Sequence, residues 1–588
     1  MYGRPAAIGS RPLFLYRVCN FCVLSPSLYN CQLIPNQPRT MRLFCAFLLL
    51  IGGLSCTAQQ HPSSLQVTLD SLFKRYARPG SPGVAVLVVK DGKVVFKKGY
   101  GMANLEYDVP ITPATVFDIA SVSKQFAGFA ISTLIQEGKI SLDDDIHKYL
   151  PEVPDFGKTI TIRHLVHHIS GLRDWPATLH AAGWRWDESF RYEDIMRMVK
   201  KQRELDFDPG SQYSYSNTGY NLLAAIVAKV SGQTYAAWLD EHVFKPLQMQ
   251  SSRSIEDYSK VIKQAASSYD GDGNTWYRSN DALTAYGSSS IFTTTEDLAK
   301  WVIHFQEALE RKDPVYVRMI ETGELNDKKR IDYAYGLEVT NRDGLLNISH
   351  DGGWAGFRTT ITNYPDQHLG IILLSNYGNF DVYSNANAIA KVFLKDKIKG
   401  GPWHEDLSKM PTLKADTVLL RKYTGSYQLG TNWYVTFTLE DGHMMVQANG
   451  EDKFPTDVKS DTVLWVPAYG SSVTFREIKE QAGSLKYRNI IAPRVIPVSV
   501  SSSAIDSCTG IYYSEELETA YRLSVEKGKL TAHHMRLGDF TFEPDFSKGG
   551  KFSSNNGTIE FFKDGQGKMA GFRLTNGRIK NILFKKKE

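Results

Sequence analysis

Two groups of strand-like segments, separated by about 250 residues of mainly helical pattern, constrain the fold of this chain most strongly. The first group is a pair of β-branched runs joined by Asp91-Gly92, a dipeptide that favours a tight hairpin turn. The runs of the two groups are 84–89 and 93–96, then 345–349, 359–362 and 369–374. This order predicts an α+β domain over residues 64–400, with an antiparallel sheet flanked by helices and both domain ends meeting in the sheet.

The last third of the chain is β-rich and contains an internal repeat. Residues 423–427 match residues 508–512 at an offset of 85, and residues 473–475 match residues 559–561 at an offset of 86. Short alternating strands in a unit of this length predict two small antiparallel β-barrel-like domains, over residues 412–498 and 504–588. They are either spacers or dimerisation domains, or one of them supplies a loop that covers a catalytic cleft.

The positive charge of the chain is confined to its beginning. Residues 1–58 contain five arginines and neither lysine nor an acidic residue. The remainder has 63 basic and 63 acidic side chains, so its net charge is zero. The composition therefore gives no electrostatic reason to expect nucleic acid as a partner.

Residues 41–58 have the pattern of a signal peptide: Met41-Arg42, an apolar stretch, and then Ser55, Cys56, Thr57 and Ala58. Residues 1–40 are interpreted as a mis-called upstream extension. Cleavage before Cys56 would leave a lipidated cysteine that anchors the protein to a membrane, and cleavage after Ala58 would leave a free protein. The predicted location is outside the cytoplasm of a bacterium, either periplasmic or attached to the outer membrane or extracellular.

Five of the six cysteines lie in this leader, and only Cys508 follows it. A mature chain with one cysteine forms no internal disulfide and has no cysteine-based metal site. The predicted domains must therefore be stabilised by their hydrophobic cores.

A candidate nucleophile lies at the start of a predicted helix that ends near Gly138. Ser121 and Lys124 are three residues apart, so they share one face of that helix. Free backbone N–H groups point outward at a helix N-terminus. A hydroxyl, a neighbouring amine and free N–H groups are the components of an activated serine nucleophile, although a capping serine beside an exposed lysine has the same pattern.

Tyr215 and Asn217 precede a helical pattern that is closed by Gly232. Two residues apart in an extended segment, they project to the same side. A turn with a capping asparagine is the structural alternative.

Two motifs resemble metal sites and are interpreted otherwise. His164, His167 and His168 have helical spacing, but no carboxylate or cysteine completes a recognisable ligand set, so capping and packing roles are predicted. The acidic stretch 270–274 lacks the glycine and the closing glutamate of a calcium loop, and we interpret it as a surface turn.

Taken together, Ser121-x-x-Lys124, Tyr215-x-Asn217 and His350-x-Gly352 resemble the serine β-lactamase and penicillin-binding superfamily, on its class C side. The resemblance covers residues 64–400. The two β-rich repeats that follow resemble the lipocalin-like barrels of D-aminopeptidase-type members. The resemblance implies a β-lactamase/transpeptidase-like fold and no metal or organic cofactor.

The resemblance also implies roles for individual residues. Ser121 would attack a carbonyl and form an acyl-enzyme, with Lys124 and Tyr215 as proton acceptor and donor. The backbone N–H groups of Ser121 and Gly353 would form the oxyanion hole. The residues implied in substrate binding are Asn217, His350 and Gly352.

The third motif departs from the Lys-Thr-Gly that β-lactamases and D-Ala-D-Ala carboxypeptidases carry. Histidine is mostly neutral near pH 7, so His350 is a weaker clamp for a substrate carboxylate than lysine. The predicted function is an exported serine hydrolase that cleaves an amide or ester of a small substrate, foremost as a peptidase of the D-aminopeptidase or carboxypeptidase type. The alternatives are an esterase, a β-lactamase or a non-catalytic penicillin-binding-like sensor, and the sequence leaves the oligomeric state open.

Overall fold

The computed structural model describes residues 64–342, 344–397, 410–414, 416–430, 433–448, 451–488, 490–496, 501–544 and 550–587. The predicted upstream extension, the predicted signal peptide and Cys56 lie outside the described residues. In the described part of the chain no single helix is long and apolar enough to cross a membrane, although the bent pair Asn217–Ser231 and Tyr235–Phe244 passes on length and composition.

The first domain contains the antiparallel sheet that the sequence predicts. The described strands of this domain are β1 Val84–Lys90, β2 Lys93–Tyr100, β3 Met102–Asn104, β4 Val109–Pro110, β5 Phe117–Asp118, β6 Arg253–Ser254, β7 Tyr269–Gly271, β8 Trp276–Arg278, β9 Ile291–Thr293, β10 Glu338–Arg342, β11 Leu345–Trp354, β12 Phe357–Tyr364 and β13 Leu369–Ser375. Six of them form the main sheet in the order β10-β11-β12-β13-β1-β2. Strand β1 pairs with β13, with Val84 opposite Ser375, so the two ends of the domain meet in the sheet as predicted.

Helices cover both faces of this sheet. They are α1 Ser64–Phe73, α2 Lys124–Gln136, α3 Ile162–Val166, α4 Trp175–Ala181, α5 Tyr192–Lys201, α6 Asn217–Ser231, α7 Tyr235–Leu239, α8 Thr295–Glu310, α9 Pro314–Met319 and α10 Val382–Leu394. Alternate residues of β1 point to opposite faces. Ala85, Leu87 and Val89 belong to the large core with α2, α6 and α8, whereas Val84, Val86 and Val88 pack with α1 and α10. Burial on both faces explains the uninterrupted apolar run of this strand.

Within the described residues, the first C-terminal unit begins with helix α11 Thr417–Arg421 and forms one strongly curled sheet. Its strands are β14 Gly425–Gly430, β15 Trp433–Glu440, β16 His443–Ala448, β17 Phe454–Pro455, β18 Asp457–Val458, β19 Val463–Val466, β20 Ser471–Ile478, β21 Ala482–Tyr487 and β22 Ile490–Val495. The two end strands, β17 and β18, follow each other directly in the chain. The sheet is therefore a nearly closed barrel, which we call the first barrel.

The second unit begins with helix α12 Ser502–Asp506 and is a closed barrel, the second barrel. Its described strands are β23 Gly510–Ser514, β24 Thr519–Glu526, β25 Lys529–His534, β26 Gly538–Pro544, β27 Lys551–Ser554, β28 Gly557–Lys563, β29 Met569–Asn576 and β30 Ile579–Lys586. Strand β23 pairs with β30 and closes the barrel. The prediction of an α+β domain followed by two small antiparallel barrel-like units is confirmed.

The sequence repeat corresponds to a repeated structural detail. The Tyr427 hydroxyl donates to the Tyr423 carbonyl at 3.0 Å, and the Tyr512 hydroxyl donates to the Cys508 carbonyl at 2.9 Å. Both tyrosines are fully buried in the cores of their barrels. The repeat therefore preserves a buried tyrosine that ties the segment before the first strand to that strand.

Candidate active site

The candidate nucleophile lies on a constrained turn between β5 and α2. Ala120 has φ of +46°, in the left-handed region that residues other than glycine rarely adopt. Its N–H donates to Asp118 Oδ1 at 2.8 Å, so the buried carboxyl fixes the turn. Residues Ala120–Ser123 form a 3₁₀ turn that continues into α2. Ser121 is half-buried at this junction, and its side chain lines a cleft.

Lys124 is fully buried one turn further along the same element. Its Nζ lies 3.0 Å from Ser121 Oγ, 2.8 Å from Asn217 Oδ1 and 2.8 Å from the Ser288 carbonyl oxygen. Burial holds the pKa of Lys124 well below its ordinary value, and the Asp174 charge opposes this shift. A buried amine with a depressed pKa next to a serine hydroxyl is chemically suited to accept the serine proton.

Tyr215 lies on the other side of Ser121. Burial raises the pKa of the Tyr215 phenol, and a hydrogen bond with Ser121 opposes that rise. Lys124 Nζ lies 4.9 Å from the centroid of the tyrosine ring. The neutral phenol, the amine and the Ser121 hydroxyl therefore form one cluster through which a proton can pass.

Asn217 connects this cluster to a buried carboxylate. It is the first residue of α6, a helix capped by Ser216, whose Oγ accepts the Gly219 N–H at 3.2 Å. The Asn217 N–H and Nδ2 both donate to Asp174 Oδ1, at 2.7 and 3.0 Å. With Nδ2 held in this way, Asn217 Oδ1 faces Lys124.

His350 lines the cleft, but both of its ring nitrogens have partners inside the protein. Nδ1 lies 2.7 Å from the Asp351 carbonyl oxygen, to which it must donate, so Nε2 accepts from the Tyr333 hydroxyl at 2.9 Å. Burial, together with the nearby Lys124, lowers the pKa of His350 to about 3. A neutral imidazole with both nitrogens occupied offers a substrate its ring surface and no free donor.

Gly352 and Gly353 follow on β11. A Cβ on Gly352 would lie 2.3 Å from the Ile119 carbonyl oxygen and 2.3 Å from Thr359 Oγ1. Glycine at position 352 therefore lets the strand approach the backbone just before Ser121. Gly353 is exposed, and its nearest neighbouring side chain is that of Arg358.

The three histidines singled out for their spacing have separate roles. His164 Nδ1 accepts the Thr161 N–H and completes the N-terminal cap of α3, and His167 Nδ1 contacts the Tyr333 carbonyl oxygen at 3.1 Å. His168 packs against Tyr215, with ring centroids 4.3 Å apart. The described residues contain no cluster of three or more ligands that could hold a metal ion. The stretch 270–274 joins β7 to β8 as a surface turn.

The predicted residues converge on one cleft with a volume of about 1060 Å³. Ser121, Tyr215, Asn217, His350, Gly352 and Gly353 all line it, and Lys124 lies behind Ser121. Aromatic side chains form much of the remaining wall: Trp175, Trp186, Tyr213, Tyr277, Trp354 and Tyr383.

Sequence reasoning missed three residues of this site. Asp174 and Tyr333 orient Asn217 and His350, and neither stands in a motif that points to chemistry. Arg578, from the second barrel, lines the same cleft although it lies more than 450 positions after Ser121. Only the general idea of a barrel loop over the cleft anticipated Arg578.

Comparison with known proteins agrees with this fold and these motifs. Residues 69–418 match the family model described as Beta-lactamase. The chain belongs to the β-lactamase family of serine hydrolases.

Curated proteins similar to this chain include one from Staphylococcus aureus and one from Gluconobacter oxydans. This chain is 32% identical to Protein flp of Staphylococcus aureus over 324 residues. The matched region covers 53% of this chain and 63% of that protein. This chain is 26% identical to a D-aminopeptidase of Gluconobacter oxydans over 360 residues. The matched region covers 61% of this chain and 66% of that enzyme. The chain thus spans slightly less than two thirds of the length of both relatives.

One similar solved structure is an octameric penicillin-binding protein homologue from Pyrococcus abyssi. Its TM-score is 0.53 at 20% identity, over 81% of this chain and all of that chain. At this identity the likeness concerns the fold.

Proposed function

We propose that this protein is a peptidase that hydrolyses an amide bond of short peptides, through an acyl-enzyme on Ser121. The proposal depends above all on one observation: buried Lys124, with a depressed pKa, lies 3.0 Å from Ser121 Oγ. The depressed pKa makes this amine easier to deprotonate, and a deprotonated amine can take the serine proton as the new bond forms.

The steps follow from the positions of the side chains. Ser121 Oγ attacks the substrate carbonyl carbon while its proton moves to Lys124 Nζ, and the N–H groups of Ser121 and Gly353 stabilise the oxyanion. Tyr215 passes a proton to the leaving amine, and the C–N bond breaks. Water then enters, gives its proton to the same groups, and releases the acid and free Ser121.

The relatives support the peptide as substrate class. A protein named D-aminopeptidase is 26% identical to this chain over 360 residues. His350 stands where the family carries a lysine and has no free nitrogen for a substrate carboxylate, so a carboxylate bound in this cleft needs another cation.

We also infer export, from the leader at residues 41–58. N-terminal sequencing of the protein from its native cells should find a mature chain that starts at Cys56 or after Ala58. Peptides from residues 1–40 in the mature protein would refute the interpretation of the leader.

The experiment that tests the proposed function is intact-mass spectrometry after brief exposure to p-nitrophenyl acetate and, separately, to a penicillin. We expect an acyl adduct on Ser121 from the ester, and no adduct and no turnover in Ser121→Ala. Circular dichroism of the variant should match that of the wild type, because the substitution removes one half-buried hydroxyl.

Three other outcomes of this experiment would contradict the proposed function. Rapid consumption of the penicillin would make the protein a β-lactamase. Absence of any adduct from a folded wild-type protein would make it a non-catalytic binder. Full turnover by Ser121→Ala would place the nucleophile elsewhere.

A further inference from the structure

The second barrel contributes a cation to the candidate active site. Strands β29 and β30 are joined by the tight turn Gly577-Arg578, since Asn576 pairs with Ile579. The Arg578 guanidinium lies 4.6 Å from the centroid of the Tyr215 ring, and Nη1 donates to Asp174 Oδ2 at 3.2 Å. Its side chain remains 50% exposed and lines the cleft.

Other positive side chains of the cleft are placed differently. Lys124 has three oxygen partners and is fully buried. Arg358 Nη1 donates to the carbonyl oxygens of Ala355 and Phe357. Arg278, on β8, also lines the cleft, but among the described residues it forms no hydrogen bond with the cluster around Ser121. Arg578 therefore combines contact with Tyr215 and Asp174 and a half-exposed side chain.

A guanidinium suits one ligand chemistry in particular. It presents five N–H donors in a planar fork that matches the two oxygens of a carboxylate. Within the described residues, one Arg578 nitrogen has a hydrogen-bonding partner, Asp174, which leaves donors for a ligand. Asp174 also holds the guanidinium in place and balances its charge before a ligand binds.

We propose that Arg578 binds the α-carboxylate of the amino acid that is released when the acyl-enzyme forms, a contact that His350 cannot make because both of its nitrogens have partners. This inference rests on the proposed function. In an amino acid, the carboxylate is one carbon away from the amine. Because Tyr215 hands its proton to that amine, the carboxylate lies beside Tyr215, where Arg578 packs on the ring. The preferred substrate is a peptide cleaved at its last amide bond.

The test compares two thioesters of N-acetyl-D-alanine, one with thioglycolate and one with thioglycolamide as the leaving group. Both carry the same acyl group, and the leaving groups differ in the charge that Arg578 would meet and in thiol acidity. The ratio of the two rates in Arg578→Gln corrects for the difference in thiol acidity. We expect kcat/KM for the thioglycolate to exceed that for the amide by about 10- to 100-fold, the usual size of a hydrogen bond to a charged group. Arg578→Gln should remove most of this preference, and Arg578→Lys should keep part of it.

Arg278→Gln is the matched control, because it removes a cation from another part of the same cleft. We expect it to keep the wild-type ratio of the two substrates. An equal loss on both thioesters in Arg578→Gln would show that Arg578 only positions Asp174, and would overturn the inference. Loss of the preference in Arg278→Gln instead would also overturn it. If neither thioester acylates Ser121 in the wild type, the proposed function itself fails.

Discussion

Asp118 lies in an apolar environment three positions before Ser121. It is fully buried, Oδ1 accepts the Ala120 N–H, and Oδ2 has no hydrogen-bonding partner among the described residues. Burial raises the pKa of Asp118 from 3.8 to about 7, against the hydrogen bond from Ala120. The folded protein therefore binds this proton more tightly than the unfolded chain does.

The raised pKa of Asp118 makes the stability of the fold depend on pH. Above pH 7 the buried carboxylate is ionised and lowers the free energy of unfolding. This destabilisation becomes smaller as the pH falls from about 7 towards 4. Asp118→Asn keeps an acceptor for Ala120 without the charge. We expect this variant to have a free energy of unfolding that is higher than that of the wild type at pH 8, by at most about 4 kcal/mol. The difference should become smaller towards pH 5.

Denaturant unfolding of wild type and variant at both pH values measures this difference. A stability difference that does not change between pH 8 and pH 5 would refute the raised pKa of Asp118.

Short motifs made the main side chains of the candidate site predictable at this scale. Ser121, Lys124, Tyr215 and Asn217 stand at spacings that local backbone geometry turns into shared faces. The partners of His350 were not predictable, because Tyr333 reaches it from a separate part of the chain. The sequence showed a histidine where lysine is usual, and only the structure showed that its nitrogens are occupied.

Among the elements, helix α2 depends on a close crossing by the segment 333–336. A Cβ on Gly128 would lie 2.0 Å from the Tyr335 carbonyl oxygen, and a Cβ on Gly336 would lie 2.4 Å from the backbone of Lys124. The same segment supplies Tyr333 to His350. Glycine at position 128 therefore lets the helix that carries Lys124 pack directly on backbone.

We expect Gly128→Ala to lower the free energy of unfolding by up to about 2 kcal/mol. Overpacking of about 1–3 kcal/mol exceeds the gain of about 1 kcal/mol in helix propensity. Gly219→Ala, in α6, is the matched control, because its Cβ would meet Leu165 O at an ordinary 3.4 Å. It should be neutral or stabilising. Thermal and denaturant unfolding of both variants measure the contrast, and equal effects would argue against the close crossing.

At the scale of the whole molecule, the second barrel is fastened to the first domain by a buried ionic cluster. Arg173 is 1% exposed and contacts Asp206 of its own domain and, from the second barrel, the Lys580 carbonyl oxygen and Glu516, the last at 2.5 Å. Burial raises the pKa of Asp206 to about 6, against the opposing charge of Arg173. The Tyr521 hydroxyl also donates to the Ala181 carbonyl at 2.9 Å.

Arg173→Met should weaken this attachment strongly, because it leaves two buried carboxylates unpaired. Losing one partner of a buried ion pair costs about 3–5 kcal/mol. Hydrogen–deuterium exchange should rise in α4 and at the end of β30 nearest Lys580. Arg197→Gln is the control, since the Arg197–Glu518 pair crosses the same interface with both side chains exposed and is worth below about 1 kcal/mol. The same exchange in both variants would contradict the role of Arg173.

What the sequence alone determined is the local part of this protein: the hairpin at β1 and β2, the Ser121 and Lys124 pair, the cap of α6 and the repeat of the barrels. These depend on turn residues, side-chain periodicity and neighbours a few positions apart. The tertiary structure decided what long-range packing controls. It buried Lys124, placed the Tyr333 hydroxyl on His350 Nε2 and brought Arg578 beside Tyr215. Burial and contacts between distant segments set pKa values and free donors, and no local pattern in the chain records them.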